Sequence, residues 1–292
     1  MKLQLGKGSQ QMLLAAFIIT SMQVIVKVIN HIPPQEIVFF RALIAFVISY
    51  VTLKRQNVNV WGNNKGWLLT RGFVGTLGMV LLFASYQNLP LATAVVLQNL
   101  APLFTAVLAV LFLNKTLKPI QYLFFVLSII GVIVIKGFDP DVDMFYLIVA
   151  VLGALAAAGA YTAIGKLKGK EHPVVIIFYF PFVAVPLTGV WCYYTEWITP
   201  MGWDWVALLT IGILSQVSQI LLTKAYQSDD DTATVASMNY SSVIYGVVYG
   251  ILLFGEFFSW QVLMGMLLVV AGSILNLIYT NRKAAISEAK NN

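Results

Sequence analysis

Three cations stand inside long apolar runs of this sequence: Lys27 near the end of the first run, Arg41 early in the second and Arg71 at the opening of the third. A charge held in hydrocarbon costs at least about 2.5 kcal/mol, so each needs a route to water, a counter-ion or a ligand. The stem of Lys27 is long enough to carry its ammonium to the interface. Arg41 has Glu36 five residues before it as a partner. If the cations face an internal cavity instead, they attract a carboxylate or a phosphate, and Arg71 with Lys224 does the same at the opposite mouth from Lys27 and Arg41.

Uncharged polar residues form a second group within the apolar runs: Gln23, Gln98, Asn99, Gln216, Gln219, Asn239 and Asn276. A buried amide seeks several hydrogen bonds, which a neighbouring helix, water or a bound solute can supply. Tyr161, Tyr179 and Tyr245 add aromatic faces with hydroxyl handles, suited to amphipathic metabolites. Tyr193 and Tyr194, beside Trp191 and Trp197, read as an interfacial belt. The candidate substrate-binding set is therefore Gln23, Lys27, Arg41, Arg71, Gln98, Asn99, Tyr161, Tyr179, Gln216, Gln219, Asn239 and Tyr245, with Asn276 read as helix-to-helix glue.

Other chemistry is poorly supplied. One cysteine, Cys192, and two separated histidines, His31 and His172, make no metal-ligand cluster, and no cofactor is expected. No Gly-rich loop ending in Lys-Ser/Thr is present to cradle a nucleotide, and no nucleophile or paired-carboxylate constellation supports an enzyme. No Asp or Glu lies mid-span, so ordinary proton or sodium coupling through an embedded carboxylate has no obvious residue. The run Asp229-Asp230-Asp231 reads as a helix cap.

The elements that position these side chains follow from composition. Only 10% of the 292 residues are charged, 59% are hydrophobic, and the mean hydropathy is +0.83, far from a soluble domain. A helix needs about 20 apolar residues to cross a bilayer. Spans are predicted over 11–29, 36–53, 67–87, 92–113, 119–136, 143–164, 173–195, 203–226, 232–254 and 259–280. Pro102 in the fourth removes a helical hydrogen bond and opens the Gln98 carbonyl. Gly72, Gly75 and Gly78, like Gly153 and Gly159, allow close helix approach. The net charge of +6 is dispersed over short connections and reports topology rather than a nucleic-acid partner. Fifteen Lys and Arg fall on one side and only Lys136 on the other, which predicts both termini in the cytoplasm of an inner or plasma membrane.

The chain also repeats itself. Ser85-Tyr86-Gln87 returns as Ala225-Tyr226-Gln227, Ala92-Thr93-Ala94-Val95 as Thr232-Ala233-Thr234-Val235, Asn99 as Asn239, and Gly131-Val132-Ile133 as Gly272-Ser273-Ile274. Five spans per copy is an odd number, so the second copy enters the membrane from the opposite side. The expected fold class is all-α integral membrane, ten transmembrane helices as two inverted-topology five-helix repeats, 1–138 and 139–292. Inverted repeats supply two equivalent arrangements, open to either side, around a site near the midplane, which is the need of a transporter.

Phe40-Arg41-Ala42, Leu100-Ala101-Pro102-Leu103, Gly255-Glu256 and the glycines Gly131 and Gly272 give the chain a resemblance to the drug/metabolite transporter superfamily, and within it to the EamA-type ten-helix transporters. The resemblance covers nearly the whole chain and departs at Asn114-Lys115, where Gly-Glu is usual. It implies a cavity enclosed by spans 1 to 4 and 6 to 9, with 5 and 10 peripheral, and alternating access without ATP hydrolysis. Export of an amino acid or related small-molecule metabolite is the expectation. The Arg71-Gly72 opening resembles organic-anion and S-adenosylmethionine carriers and offers an exchanger as the alternative; a scaffold or receptor is the alternative from another class. The expected partners are the small-molecule substrate, membrane lipid and, in a dimeric carrier, a second copy.

Overall fold

The structure is a computed structural model describing the backbone of residues 6–113, 119–195, 197–226, 228, 230, 235 and 237–291, without the side chains of 113, 223, 226 and 280–291. Asn114-Lys115, Asp229, Asp231 and the repeated Thr232-Ala233-Thr234 lie outside the described residues. The helices are α1 (Lys7–Val28), α2 (Pro34–Arg55), α3 (Lys65–Asn88), α4 (Leu91–Gln98), α5 (Ala101–Leu113), α6 (Pro119–Phe138), α7 (Met144–Leu167), α8 (Pro173–Tyr194), α9 (Trp203–Tyr226), α10 (Ser241–Phe254) and α11 (Trp260–Asn291). Among the described residues nine apolar stretches are long enough to cross a membrane, α4 and α5 together forming one; α10 is shorter, at 14 residues.

Local chemistry sets the helix ends. Pro34 and Pro173 occupy the first turns of α2 and α8, where a missing N–H costs nothing. The Asp143 carboxylate accepts the N–H groups of Phe145 (2.8 Å) and Tyr146 (3.2 Å) to open α7. Gly255, with φ of 62°, closes α10 in the left-handed region.

Two predicted spans are not continuous helices. The fourth breaks at Asn99-Leu100, between α4 and α5, where Leu100 N–H turns back to the Leu97 carbonyl (3.1 Å) in a tightened turn. Pro102, which cannot donate to the Gln98 carbonyl, is the physical cause. The ninth breaks at Asn239-Tyr240, where Tyr240 N–H bonds Ser237 and Ser242 N–H bonds Asn239, both at 3.1 Å. The two breaks fall on the asparagines that the repeat aligns.

The most extensive helix pairings join the first five spans to the last five: α3 with α7, α6 with α11, α1 with α9 and α2 with α8. The α6–α11 seam is reciprocal in the repeat register. A Cβ on Gly131 would lie 2.6 Å from the Gly265 carbonyl, and one on Gly272 would lie 2.6 Å from the Phe124 carbonyl, so the two main chains touch. Ser128 Oγ donates to the Val269 carbonyl (3.3 Å) within it, and Gln121 Nε2 donates to Asn276 Oδ1 (2.9 Å) at one end. Asn276 is thus a tie between these two helices.

Candidate substrate site

Arg41 stands about two turns into α2 and Arg71 about two turns into α3. The helices run antiparallel, so the two residues start near opposite ends of the bundle. Their side chains are long enough to meet. The Arg41 guanidinium carbon lies 5.8 Å, and that of Arg71 5.2 Å, from the centre of the same Phe180 ring on α8. The expectation of positive charge at two separate mouths is replaced by two cations converging on one ring.

A cation over an aromatic face gains about 0.5 to 2 kcal/mol, but it leaves the N–H donors unspent. Among the described residues, Arg41 Nη1 donates to Met79 Sδ, a weak acceptor. The Nε of Arg41 and the Nε of Arg71 are both buried without an acceptor among the described residues. Glu36 does not pair with Arg41; its Oε2 accepts the Ile198 N–H at 3.1 Å. Gly75, one turn after Arg71, makes the pocket for this side chain, because a Cβ there would collide with Arg71 Nη1 and lie 3.3 Å from Phe180. Gly72 and Gly78 differ from it in role: they pack main chain closely against α8 and α7, the Gly78 Cβ falling 2.9 Å from the Ala157 nitrogen.

A neutral polar network adjoins the arginines. Tyr86, an electrostatic neighbour of Arg41 and Tyr161, donates its hydroxyl to Gln98 Oε1 (2.7 Å). Gln23 Nε2 reaches the same Gln98 oxygen (2.9 Å) and the Tyr86 hydroxyl (3.2 Å), and Gln23 Oε1 is left buried without a partner. Tyr161 sits beside Arg71 with half its surface exposed. Arg41, Arg71, Gln23, Gln98 and Tyr161 therefore come together, with Tyr86, Phe180 and Met79 added to them. Sequence reasoning passed over Tyr86, although it is kept, with Gln87, in the second copy as Tyr226-Gln227. Phe180 carried no signal beyond its place in an aromatic helix.

The remaining candidates are placed elsewhere. Lys27 pairs with Glu256 (3.0 Å), donates to the Leu89 carbonyl and lies 5.1 Å over Phe254. Glu256 also receives the Leu91 N–H on both oxygens (2.8 and 2.9 Å), so it caps α4 and holds Lys27 at once. Tyr179 donates to the Trp61 carbonyl (2.7 Å) within an aromatic cluster. Asn99 turns back to the Val95 carbonyl (2.9 Å), while its own carbonyl accepts Ser273 Oγ (3.0 Å). Tyr245 packs edge-on to Phe17 at 5.5 Å. Gln216 is half-buried on α9, Gln219 and Lys224 are exposed on the same helix, and Asn239 is half-buried at the break before α10.

Clasps occur at both ends of the bundle. Opposite the Lys27–Glu256 end, Glu171 accepts from Asn63 N–H (2.7 Å) and Asn64 Nδ2 (2.8 Å), and Asp230 accepts from Ser9 N–H (2.9 Å) and Ser9 Oγ (3.1 Å) at the start of α1. Burial raises the Glu171 pKa, but the Asn64 side chain and the Asn64 and Asn63 N–H groups outweigh it and hold the carboxyl below its ordinary range. A cleft of about 780 Å³ opens between α3, α5 and α7. Its walls, including Trp67, Leu77, Leu108, Phe112 and Leu155, are apolar, so the arginine cluster is the better candidate for solute recognition.

The sequence pattern of the EamA-like transporter family matches residues 6–137 and again residues 144–278. The chain belongs to this family. It is a transporter of the drug/metabolite superfamily and not an enzyme. The pseudopaline exporter CntI of Pseudomonas aeruginosa is 30% identical over 273 residues, 92% of this chain and 95% of that protein. Human solute carrier family 35 member G1 is 27% identical over 92% of this chain and 78% of its own length. The S-adenosylmethionine uptake transporter of Rickettsia felis is 27% identical over 85% and 84% respectively. A crystal structure sharing 15% identity superposes with a TM-score of 0.61, covering 93% of this chain and 96% of that one, a likeness of fold.

Proposed function

We propose that the protein is a secondary transporter that moves a small organic metabolite bearing an acidic group across the membrane by alternating access, with Arg41 and Arg71 as its anchors. The observation that carries this reading is the pair of buried guanidiniums without a carboxylate partner among the described residues. Two such cations in a bilayer cost roughly 2.5 to 3.5 kcal/mol each by insertion scales. A bound anion offsets that cost, and a zwitterionic or acidic amino-acid derivative supplies it. The site draws on both halves, α2 and α3 from one and α7 and α8 from the other. Rocking the halves about the α6–α11 seam would expose it to either side in turn. Inverted topology, cytoplasmic termini and net export, the direction named for the Pseudomonas relatives, belong to the same proposal.

The test is flux through the purified protein in liposomes loaded with a mixed metabolite pool. Labelled acidic amino acids and dicarboxylates should be taken up, and Arg41→Gln or Arg71→Gln should abolish the uptake. Unchanged flux in both variants would return the arginines to a structural role. Exchange is the second reading, favoured by the same pair, because an emptied carrier must reorient with two cations uncompensated. Uptake that needs like solute inside the liposome would establish it.

A further inference from the structure

We propose that the Arg41–Phe180–Arg71 arrangement is a two-point clamp for a solute with two separate acidic groups, one on each guanidinium, spanning the edge or face of Phe180. This rests on the anion reading above and narrows it. A single carboxylate has two oxygens to share between two forks, whereas two acidic groups serve each fork in full. The two arginines descend from different helices and from opposite ends of the bundle, and they reach one ring at similar distances, 5.8 and 5.2 Å. Each retains an unaccepted Nε, so each has its own demand. Among the described residues Arg41 donates to a thioether, which a carboxylate or phosphate oxygen displaces readily. Gly75 is the complementary absence: with no side chain there, the Arg71 guanidinium can lie against its own helix and face Phe180. The Tyr86, Gln23 and Gln98 network presents neutral groups, and among the described residues no carboxylate pairs with either fork. Gln23 Oε1, buried and without a donor among the described residues, remains to receive an N–H or O–H from the body of the solute.

The experiment measures binding to the full chain in nanodiscs by thermal shift and calorimetry. The probes are succinate, glutarate and adipate, the matched monocarboxylates butyrate, valerate and hexanoate, and inorganic phosphate. A dicarboxylate should bind at least about 10-fold more tightly than its monocarboxylate, the worth of one added charge-assisted hydrogen bond. Affinity should pass through a maximum with chain length. Arg41→Lys and Arg71→Lys, which keep the charge, should each erase that preference, and Gly75→Ala should do so by displacing Arg71 while leaving the helix intact. Equal binding of mono- and dicarboxylates, or loss of preference in only one arginine variant, overturns the clamp but leaves the anion reading standing. Inorganic phosphate binding as tightly as the best dicarboxylate also overturns it, since two charges on one group then suffice. If no anion binds while a neutral or cationic amino-acid derivative does, both readings fall.

Discussion

The Lys27–Glu256–Leu91 clasp offers the sharpest test of how this bundle is held shut at one end. Glu256 accepts the Leu91 N–H at 2.8 and 2.9 Å and pairs with Lys27 at 3.0 Å, with side-chain exposures of only 11% and 15%. Glu256→Gln preserves shape and one neutral acceptor for the α4 N-terminus, but it removes the charge that Lys27 faces. A hydrogen bond to a charged group is worth about 1.5 to 3 kcal/mol, and breaking a buried pair from one side costs about 3 to 5. With partial exposure, a loss of about 2 to 4 kcal/mol is expected. Lys27→Met should cost less, because it leaves Glu256 still bonded to Leu91. In the double variant the two losses should overlap by at least about 1.5 kcal/mol, since neither charge is stranded. The assay is reversible unfolding in mixed detergent micelles, read by tryptophan fluorescence in a double-mutant cycle. Additivity within about 0.5 kcal/mol would refute the clasp as an energetic unit.

Gly131→Ala should destabilise by about 1 to 3 kcal/mol, because its new methyl group meets the Gly265 main chain at 2.6 Å rather than a flexible side chain; a drop in unfolding temperature checks it. Tyr86→Phe removes the 2.7 Å hydrogen bond to Gln98 and should cost about 1 kcal/mol while weakening transport, measurable in the same liposomes. Glu171, its carboxyl depressed in the folded state, contributes stability that is complete above the ordinary carboxylate pKa of about 4.3 and is lost as pH falls through the lower folded value. Acid unfolding of Glu171→Gln should lack that component, and identical pH profiles for variant and parent would refute it.

Much of this architecture was legible in the sequence because hydrocarbon imposes length and composition on every span. The ends of the spans, the polar pair Asn99 and Asn239 and the seam glycines Gly131 and Gly272 all show in the pattern. Less visible was reach. Arg41 and Arg71 begin near opposite ends of antiparallel helices, and their long side chains bring the charges together on Phe180, which no one-dimensional depth reading conveys. The break of the fourth span had its sign in Pro102, whereas that of the ninth has no proline and falls among Ser237, Asn239, Ser241 and Ser242, residues that a helix also tolerates. Lys27 read as snorkelling to the interface or facing a cavity because its partner Glu256 is 229 residues away and joins it only when the two halves pack.

The pairing of α1 with α9, α3 with α7, α2 with α8 and α6 with α11 carries a consequence for how the chain matures. Residues 1–138 are the first to leave the ribosome, yet the surfaces that α1, α2, α3 and α6 bury most extensively belong to helices not yet synthesised. The nascent half must wait in the bilayer with Lys27 and the small-residue faces of α3 and α6 unmatched, exposed to lipid and to membrane quality control. Assembly is thus a late event that completes both halves together, and a truncation after Phe138 would leave a fragment without the helices that pair most extensively with α1, α2, α3 and α6.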